Sequence, residues 1–332
     1  MTFADPALEA AVRTALGIPS GDLTNSAVLG VTVLSVNYAG VASASGIEHC
    51  LNLASFNAEG CSIQDVAPFA ALPALTQLNL YNNPVTNAPA LEPLTLLTSL
   101  ALRLNSATDL SFLSGMTDLN GLSLRGAGVT ALPSLAALDN LEYLGLVETS
   151  LVSLGFLDDI GQQLYSLVLD GTTGISDYSK LSLLTKTTEL WLNSTGITNL
   201  TVLSSLSNLN LLSLNGNGLT GLTGLSSLTG LGSLSIENNN LTSLDELAGL
   251  TGLTSLDAFN NQISDISAIE AWSAISYLNL RINAITDIAP LLANLGIGDG
   301  DTLDLRSNPL SSQAKTDCLT LIARGASVSY DP

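Results

Sequence analysis

Three consecutive stretches of this chain repeat a single 22-residue sentence. LNLLSLNGNGLTGLTGLSSLTG begins at residue 209, LGSLSIENNNLTSLDELAGLTG follows at 231, and LTSLDAFNNQISDISAIEAWSA follows at 253. They share the frame L-x-x-L-x-L/I/A-x-x-N-x-L/I-x-x-L/I-x-x-L/I-x-x-L/W. A copy this short cannot bury its own apolar face, so neighbours must stack and the chain grows coil by coil as a solenoid. Within each copy x-L-x-L-x has the two-residue period of a strand. The later Leu or Ile residues, three apart, describe a tight 3₁₀ or irregular return.

The same frame extends in both directions. It begins loosely at Val31 and restarts at Leu53, Leu75, Leu97, Leu119, Leu141, Leu164, Thr187, Leu209, Leu231, Leu253, Ile275 and Gly300, giving about 13 coils over 31–310. Residues 1–30 stand outside it. FADPALEAAVRTALG is expected to be a helix, with Asp5 as N-cap, Pro6 at the first helical position, Gly17 as stop, and Leu8, Ala11, Val12, Ala15 and Leu16 as its apolar stripe. Residues 311–332 also leave the repeat. SSQAKTDCLTLIARG is expected to form a second helix with Cys318, Leu321 and Ile322 inward, followed by a short edge, ASVSYDP. Both ends serve as caps over coils that would otherwise expose a slab of Leu. The fold class is therefore an α/β solenoid of leucine-rich repeats. Its parallel β-sheet lies on the concave face, its convex segments are 3₁₀ or irregular, and its caps are helical.

The ninth position of the frame is Asn at 83, 105, 217, 239, 261, 283 and 308. An Asn amide carries two donors and an acceptor, enough to satisfy backbone groups in its own and the adjacent coil, so these residues are expected to be structural. Cys61 takes the same position. Cys50 closes the preceding coil, so the two point to different parts of the cross-section and reduced, buried thiols are expected, with Cys318 also unpaired. Ala127, Thr149, Thr172 and Thr195 replace the Asn in the less regular middle coils. A Thr column (Thr86, Thr108, Thr130, Thr198, Thr220, Thr242, Thr286) raises an ice-binding surface as an alternative, but Thr at this place also bonds turn backbone, and no second outward column accompanies it.

Composition narrows the partners. With 29 acidic and 9 basic side chains the formal net charge is −20. That field repels phosphate backbones and anionic lipid, so neither nucleic acid nor membrane insertion is expected. No apolar run approaches a membrane span. MTFADPALEA has neither the basic start nor the apolar segment of a secretion signal, as in a processed secreted form. Three cysteines make no even disulfide framework. His49 is the only histidine, leaving little material for a nucleophile–histidine pair or a His-based metal centre, so a non-enzymatic role is expected. The candidate cation site is GDGDTLD, where Asp299, Asp301 and Asp304 alternate with small residues in a way that can wrap Ca²⁺. Otherwise no cofactor is expected.

The 22-residue wording, ISDISAI (263–269), ITDIAPLLANL (285–295), and the opening FADPALEAAVRTALG with GIEHCLNL (46–53) resemble bacterial internalin-like leucine-rich repeat proteins. The resemblance spans the whole chain. It implies an extracellular or cell-surface module, secreted or anchored, that binds a protein through its concave face, and the acidic composition suits such a setting. The central coils depart from the pattern by lacking the ladder Asn.

The concave face carries the candidate site. Strand side chains there come from the third, fifth and seventh positions of each coil. The seventh column holds Arg103, Arg125, Arg281 and Arg306, four of the chain's six arginines. They form two neighbouring pairs, for which Glu59 on one side and Asp257 and Asp304 on the other are the expected compensating charges. Tyr81, Tyr143, Trp191, Phe259 and Tyr277 share the face. Arg and exposed aromatics dominate binding hot spots, which points to a protein or peptide ligand. A polysaccharide or other extended polymer is the alternative that aromatic rows also support, and a structural spacer of a larger surface protein is a third.

Overall fold

In the computed structural model, which describes all 332 residues, fourteen strands follow one another in chain order, and within each of two compact units the strand pairings are parallel. The chain divides into two compact units, Met1–Leu164 with Gly174–Ser176, and Tyr165–Thr173 with Asp177–Pro332. The first holds β1 (Val33–Ser35), β2 (Ser55–Asn57), β3 (Gln77–Val85), β4 (Ser99–Leu104), β5 (Gly121–Arg125) and β6 (Tyr143–Val147). The second holds β7 (Ser166–Val168), β8 (Glu189–Trp191), β9 (Leu211–Ser213), β10 (Ser233–Ser235), β11 (Ser255–Asp257), β12 (Tyr277–Asn279), β13 (Thr302–Asp304) and β14 (Ser327–Ser329). Short 3₁₀ turns such as Ala67–Ala71, Asp245–Leu247 and Ser267–Ala271 form the return segments. No helix is long and apolar enough to cross a membrane.

One coil shows how the frame works. In the copy starting at 231, Leu234 and Ile236 point inward from the strand, and Leu241, Leu244, Leu247 and Leu250 meet them from the return; all are buried. Ser233, Ser235 and Glu237 face out and are half-buried. Each coil contributes one layer of Leu, and its neighbours seal that layer above and below. Trp272, which takes a Leu position, is buried and donates its indole N–H to Leu247 O at 3.0 Å.

The ninth-position amides form the expected ladder. Asn239 Oδ1 accepts from the N–H groups of Asn217 and Leu219, and its Nδ2 donates to Leu214, Ile236 and Glu237 carbonyls. Cys61 plays the same part with one donor, its Sγ lying 3.2 Å from Val36 O, 25 residues back, the interval Asn83 spans to Ala58 O. Thr195 Oγ1 donates to Leu192 O in its own coil and Asn217 Oδ1 lies 3.1 Å from it, but one hydroxyl cannot supply the amide's several donor contacts. All three cysteines are free and buried.

Asn105 is the correction. It is exposed and takes no place in the ladder. The cause lies one residue earlier. In twelve coils the eighth position adopts positive φ: Tyr38, Gly60, Asn82, Gly126, Glu148, Gly171, Ser194, Gly216, Asn238, Asn260, Ile282 and Ser307. That left-handed residue turns the chain so that the ninth side chain points inward. At Leu104 the left-handed turn is absent: β4 continues through the residue and Leu104 faces the core. The following residue is thereby turned outward. The next coil adapts, with Gly128 N–H donating to Leu104 O at 2.9 Å. A Cβ at Gly128 would lie 2.2 Å from Ser106 O, so only glycine fits there.

Ile282 holds φ 56°, a conformation in which a β-branched side chain crowds its own backbone. The same position is Asn260 and Asn238 in the two preceding coils, and their amides are joined, Asn260 Nδ2 donating to Asn238 Oδ1 at 2.8 Å. Ile282→Asn is therefore expected to raise stability by about 1 kcal/mol. Urea unfolding checks this; an unchanged or lower midpoint removes the strain argument.

Both terminal helices form. Pro6–Leu16 is capped by Asp5 and stopped by Gly17 at φ 65°. Its buried stripe is narrower than expected, being Leu8 and Val12, with Ala15 exposed. Ser312–Ala323 buries Ala314, Asp317, Cys318 and Leu321, whereas Ile322 is 43% exposed. At roughly 100° per residue Ile322 lies about a quarter turn from the centre of that face. Asp317 takes the inward place and accepts from Gln313 Nε2 at 2.8 Å. β14 then pairs with β13 as the closing edge.

Candidate binding surface on the strand face

In the first unit the seventh-position side chains Arg103 and Arg125 are register partners on β4 and β5. Arg125 is fully engaged. Its Nε and Nη2 fork onto the Glu148 carboxylate at 3.0 and 2.6 Å, its Nη1 lies 3.4 Å from Asn82 Oδ1, and its guanidinium sits over the Tyr81 ring, 5.6 Å from the centroid. Glu148, not Glu59, is the compensating charge, and the Arg125 hydrogen bond holds its carboxyl below the usual range. Glu59 instead accepts from the Tyr38 hydroxyl at 2.6 Å. Arg103 donates Nε to Asn105 Oδ1 at 3.1 Å and makes no ion pair. Tyr143, 39% exposed on β6, lies along its own strand because residue 145 is glycine; a Cβ there would be 2.9 Å from the Tyr143 hydroxyl.

The second unit gathers Phe259, Tyr277, Arg281 and Arg306 around β11–β13. Arg281 is exposed and stands over the Phe259 ring, 5.7 Å from the centroid. Arg306 is forked onto Asp304, Nε to Oδ1 at 2.9 Å, and that contact lowers the Asp304 pKa. Asp257 serves the backbone rather than an arginine, accepting from Phe259 N–H and Asn279 Nδ2. Burial raises the Tyr277 phenol pKa, and Asp257, Asp304 and Glu237 raise it further. Burial also pushes the Glu237 carboxyl up, aided by Asp257. Trp191 is half-buried on β8, three strands from Phe259 and so about 14 Å away. The fold does not bring it into the same patch.

The other sequence candidates are placed as follows. Asp301 Oδ2 accepts from Gly298 N–H at 2.8 Å and Asp304 is committed to Arg306. Asp299, Asp301 and Asp304 do not converge, and no group of three or more His, Cys, Asp or Glu side chains is placed to hold a metal ion. His49 ends the 3₁₀ turn Ile47–His49, beside a surface hollow of about 400 Å³ lined by Leu29, Glu48 and Leu51. The adjacent Cys50 is buried, and burial raises its thiol pKa to about 11, so the pair holds no thiolate near neutral pH. Thr86 Oγ1 donates to Gln64 O at 3.2 Å, the backbone bond expected of its column.

The sequence reading did not single out Glu148, Asn82 or the outward Asn105. Each lies at the eighth or ninth position, beside the arginine column: Asn82 and Glu148 are left-handed residues, and Asn105 is turned outward because the strand runs on through Leu104.

Comparison with known proteins agrees with this architecture. The family model for Leucine Rich repeats (2 copies) matches residues 229–271. No curated protein sequence matches the chain. Among solved structures, an internalin from Listeria monocytogenes, InlF, is similar at 29% identity over 99% of this chain and 91% of that one, with a TM-score of 0.70. A Leptospira interrogans leucine-rich repeat protein shares the fold at 20% identity, over 86% of this chain and 80% of its own, with a TM-score of 0.65. The functional domain of InlJ from L. monocytogenes, described as including a cysteine ladder, shares it at 18% identity over 92% and 81%, with a TM-score of 0.55. The coils, the amide ladder and the parallel sheet define a leucine-rich repeat solenoid, the architecture of a protein-binding module. The repeat wording and the likeness over 99% of this chain make it internalin-like.

Proposed function

We propose that this chain is a non-enzymatic binding module that works outside the cell and recognises a protein or peptide through its strand face. The observation that carries this reading is the distribution of side chains. In a chain with nine basic residues in all, the strand face of the first unit carries Tyr81, Arg103, Arg125 and Tyr143, and that of the second carries Trp191, Phe259, Tyr277, Arg281 and Arg306, among mostly small polar neighbours. Large aromatics there cover more apolar surface than solubility requires, and two of them already hold guanidinium groups in stacked poses. The extracellular setting rests on the resemblance to internalin-like proteins and is consistent with the acidic composition.

The test selects peptides against the intact chain from a displayed library and measures them against variants. Trp191→Ser and Tyr277→Ser are expected to weaken binding about tenfold or more while melting changes little, because both side chains remain partly exposed in the folded chain. Asp245→Ser, on a return segment, is expected to leave binding unchanged. The reading fails if the strand-face variants bind as well as wild type. It also fails if the chain selects neutral oligosaccharides with salt-insensitive affinity and no peptides, which is the polysaccharide alternative.

A further inference from the structure

The four arginines of the seventh column are not equivalent. Arg125 and Arg306 each have a carboxylate from this chain in their fork, Glu148 and Asp304 respectively. Arg103 and Arg281 have none, although 29 acidic side chains are available; Arg281 stands over the Phe259 ring, whereas Arg103 is held by a side-chain hydrogen bond. Its register neighbour is Arg125, so two guanidinium groups about one strand spacing apart share one counter-charge. Asn105 fixes Arg103 through Nε alone, and no acceptor in the protein meets either terminal nitrogen. That leaves the end-on pair of donors, the edge that grips a carboxylate with two parallel hydrogen bonds.

A second observation points the same way. Asn105 is the one ninth-position Asn that has left the ladder, and its amide oxygen now positions Arg103. The slip at Leu104 gives up a buried amide contact and in exchange orients a guanidinium toward solvent. Charge distinguishes the possible anions. The net charge of −20 opposes polyanions, while screening beyond about 8 Å leaves a single short-range charge contact little affected. We propose that Arg103 holds a carboxylate of the bound partner, an Asp or Glu side chain of a peptide segment, with Asn105 as its positioning residue. This deepens the strand-face reading and rests on it.

The full chain has six arginines, so the ¹⁵N–¹H correlations of their Nε groups form a spectrum of at most six signals, assignable by single Arg→Lys substitutions. The probe is N-acetyl-glutamate N-methylamide, titrated at constant ionic strength beside its neutral glutamine counterpart. The Arg103 signal is expected to shift and saturate in the millimolar range with the glutamate probe only, while the signals of Arg125, Arg306 and Arg324 stay in place. Asn105→Ala is expected to weaken saturation about threefold without changing melting, since it loosens the fork but removes no buried bond. The assignment is overturned if Arg103 responds equally to both probes, if all six signals move together, or if methyl sulfate saturates it more tightly than the carboxylate. Any of these results, with the Trp191→Ser and Tyr277→Ser losses intact, removes Arg103 and leaves the strand-face reading standing. If those losses are also absent, the reading itself falls.

Discussion

Asn239→Ala is expected to cost about 4 kcal/mol, whereas Asn105→Ala, the same change at the same position of another coil, is expected to stay within about 0.5 kcal/mol. The Asn239 amide is buried and makes five hydrogen bonds, receiving two backbone N–H groups and supplying three carbonyls. Alanine leaves the Asn217 and Leu219 N–H groups without acceptors in a place water cannot reach, and each orphan costs about 1–3 kcal/mol, whereas the three carbonyls keep a second donor in Asn217 Nδ2, Asn261 Nδ2 and Gly216 N–H. Both orphans belong to the coil before, so the damage spans an interface between repeats rather than a single turn. Asn105 is exposed and bonds one arginine side chain, so its loss leaves nothing buried and unpaired. Urea unfolding of both variants, followed by circular dichroism and tryptophan fluorescence, separates the two. Equal midpoints for the pair would falsify the claim that the ladder excludes residue 105.

That contrast shows what could be read in the sequence. The coil frame, the inward Leu positions and the capping residues Asp5 and Gly17 follow from local chemistry repeated or placed at a chain end, and they stand in the structure where the pattern puts them. Asn105 misled because the ninth letter alone does not decide its direction. The eighth does, through the sign of φ, and Leu104 is the one eighth residue without a positive φ. The eighth letters alone do not reveal this, because Tyr38, Glu148 and Ile282 take the left-handed turn along with Gly, Asn and Ser. Ile322 misled for a different reason. A helix face is set by the element it docks on: spacing alone puts Ile322 only about 40° from Cys318 and Asp317 about 100° on the other side, yet Asp317 is the one that is buried.

The strand-face residues were legible as a column but not as a network. Register places Arg103 beside Arg125, and that much follows from the period. Which carboxylate answers them depends on where the turn projects its side chains. Glu148 reaches Arg125 because positive φ at the eighth position of the next coil aims it back over the sheet. Glu59, two coils before Arg103 in the same column, is already taken by Tyr38. The unpaired state of Arg103 is thus a three-dimensional result. So is the separation of Trp191 from the Phe259 and Tyr277 patch, which one list of aromatics conceals.

Asp5→Ala is expected to release the N-terminal helix from the first coil, at a cost of about 3 kcal/mol. One carboxylate oxygen caps the helix, accepting from Ala7 N–H at 2.9 Å and Leu8 N–H at 3.3 Å. The other accepts from Ala42 N–H at 2.7 Å and Ser43 N–H at 3.4 Å, 37 and 38 residues on. A single side chain therefore ties the helix start to the turn it covers, and Asn, with one carbonyl oxygen, can replace only half of this. Burial by itself pushes the Asp5 carboxyl up, but the four N–H donors outweigh it and hold the pKa below the ordinary 3.8. A depressed folded pKa means that this contribution is fully present above about pH 4 and is lost as pH falls through the folded value. Hydrogen exchange of the Pro6–Leu16 amides checks this locally, without requiring the whole array to unfold together. Protection of that helix in wild type should exceed that in Asp5→Ala at pH 6, and the gap should close as the carboxyl protonates below pH 4. A gap that persists undiminished to the acid limit means that the protonated side chain holds the helix as well as the carboxylate does, and the absence of a gap at pH 6 means that docking rests on the buried Leu8 and Val12 instead.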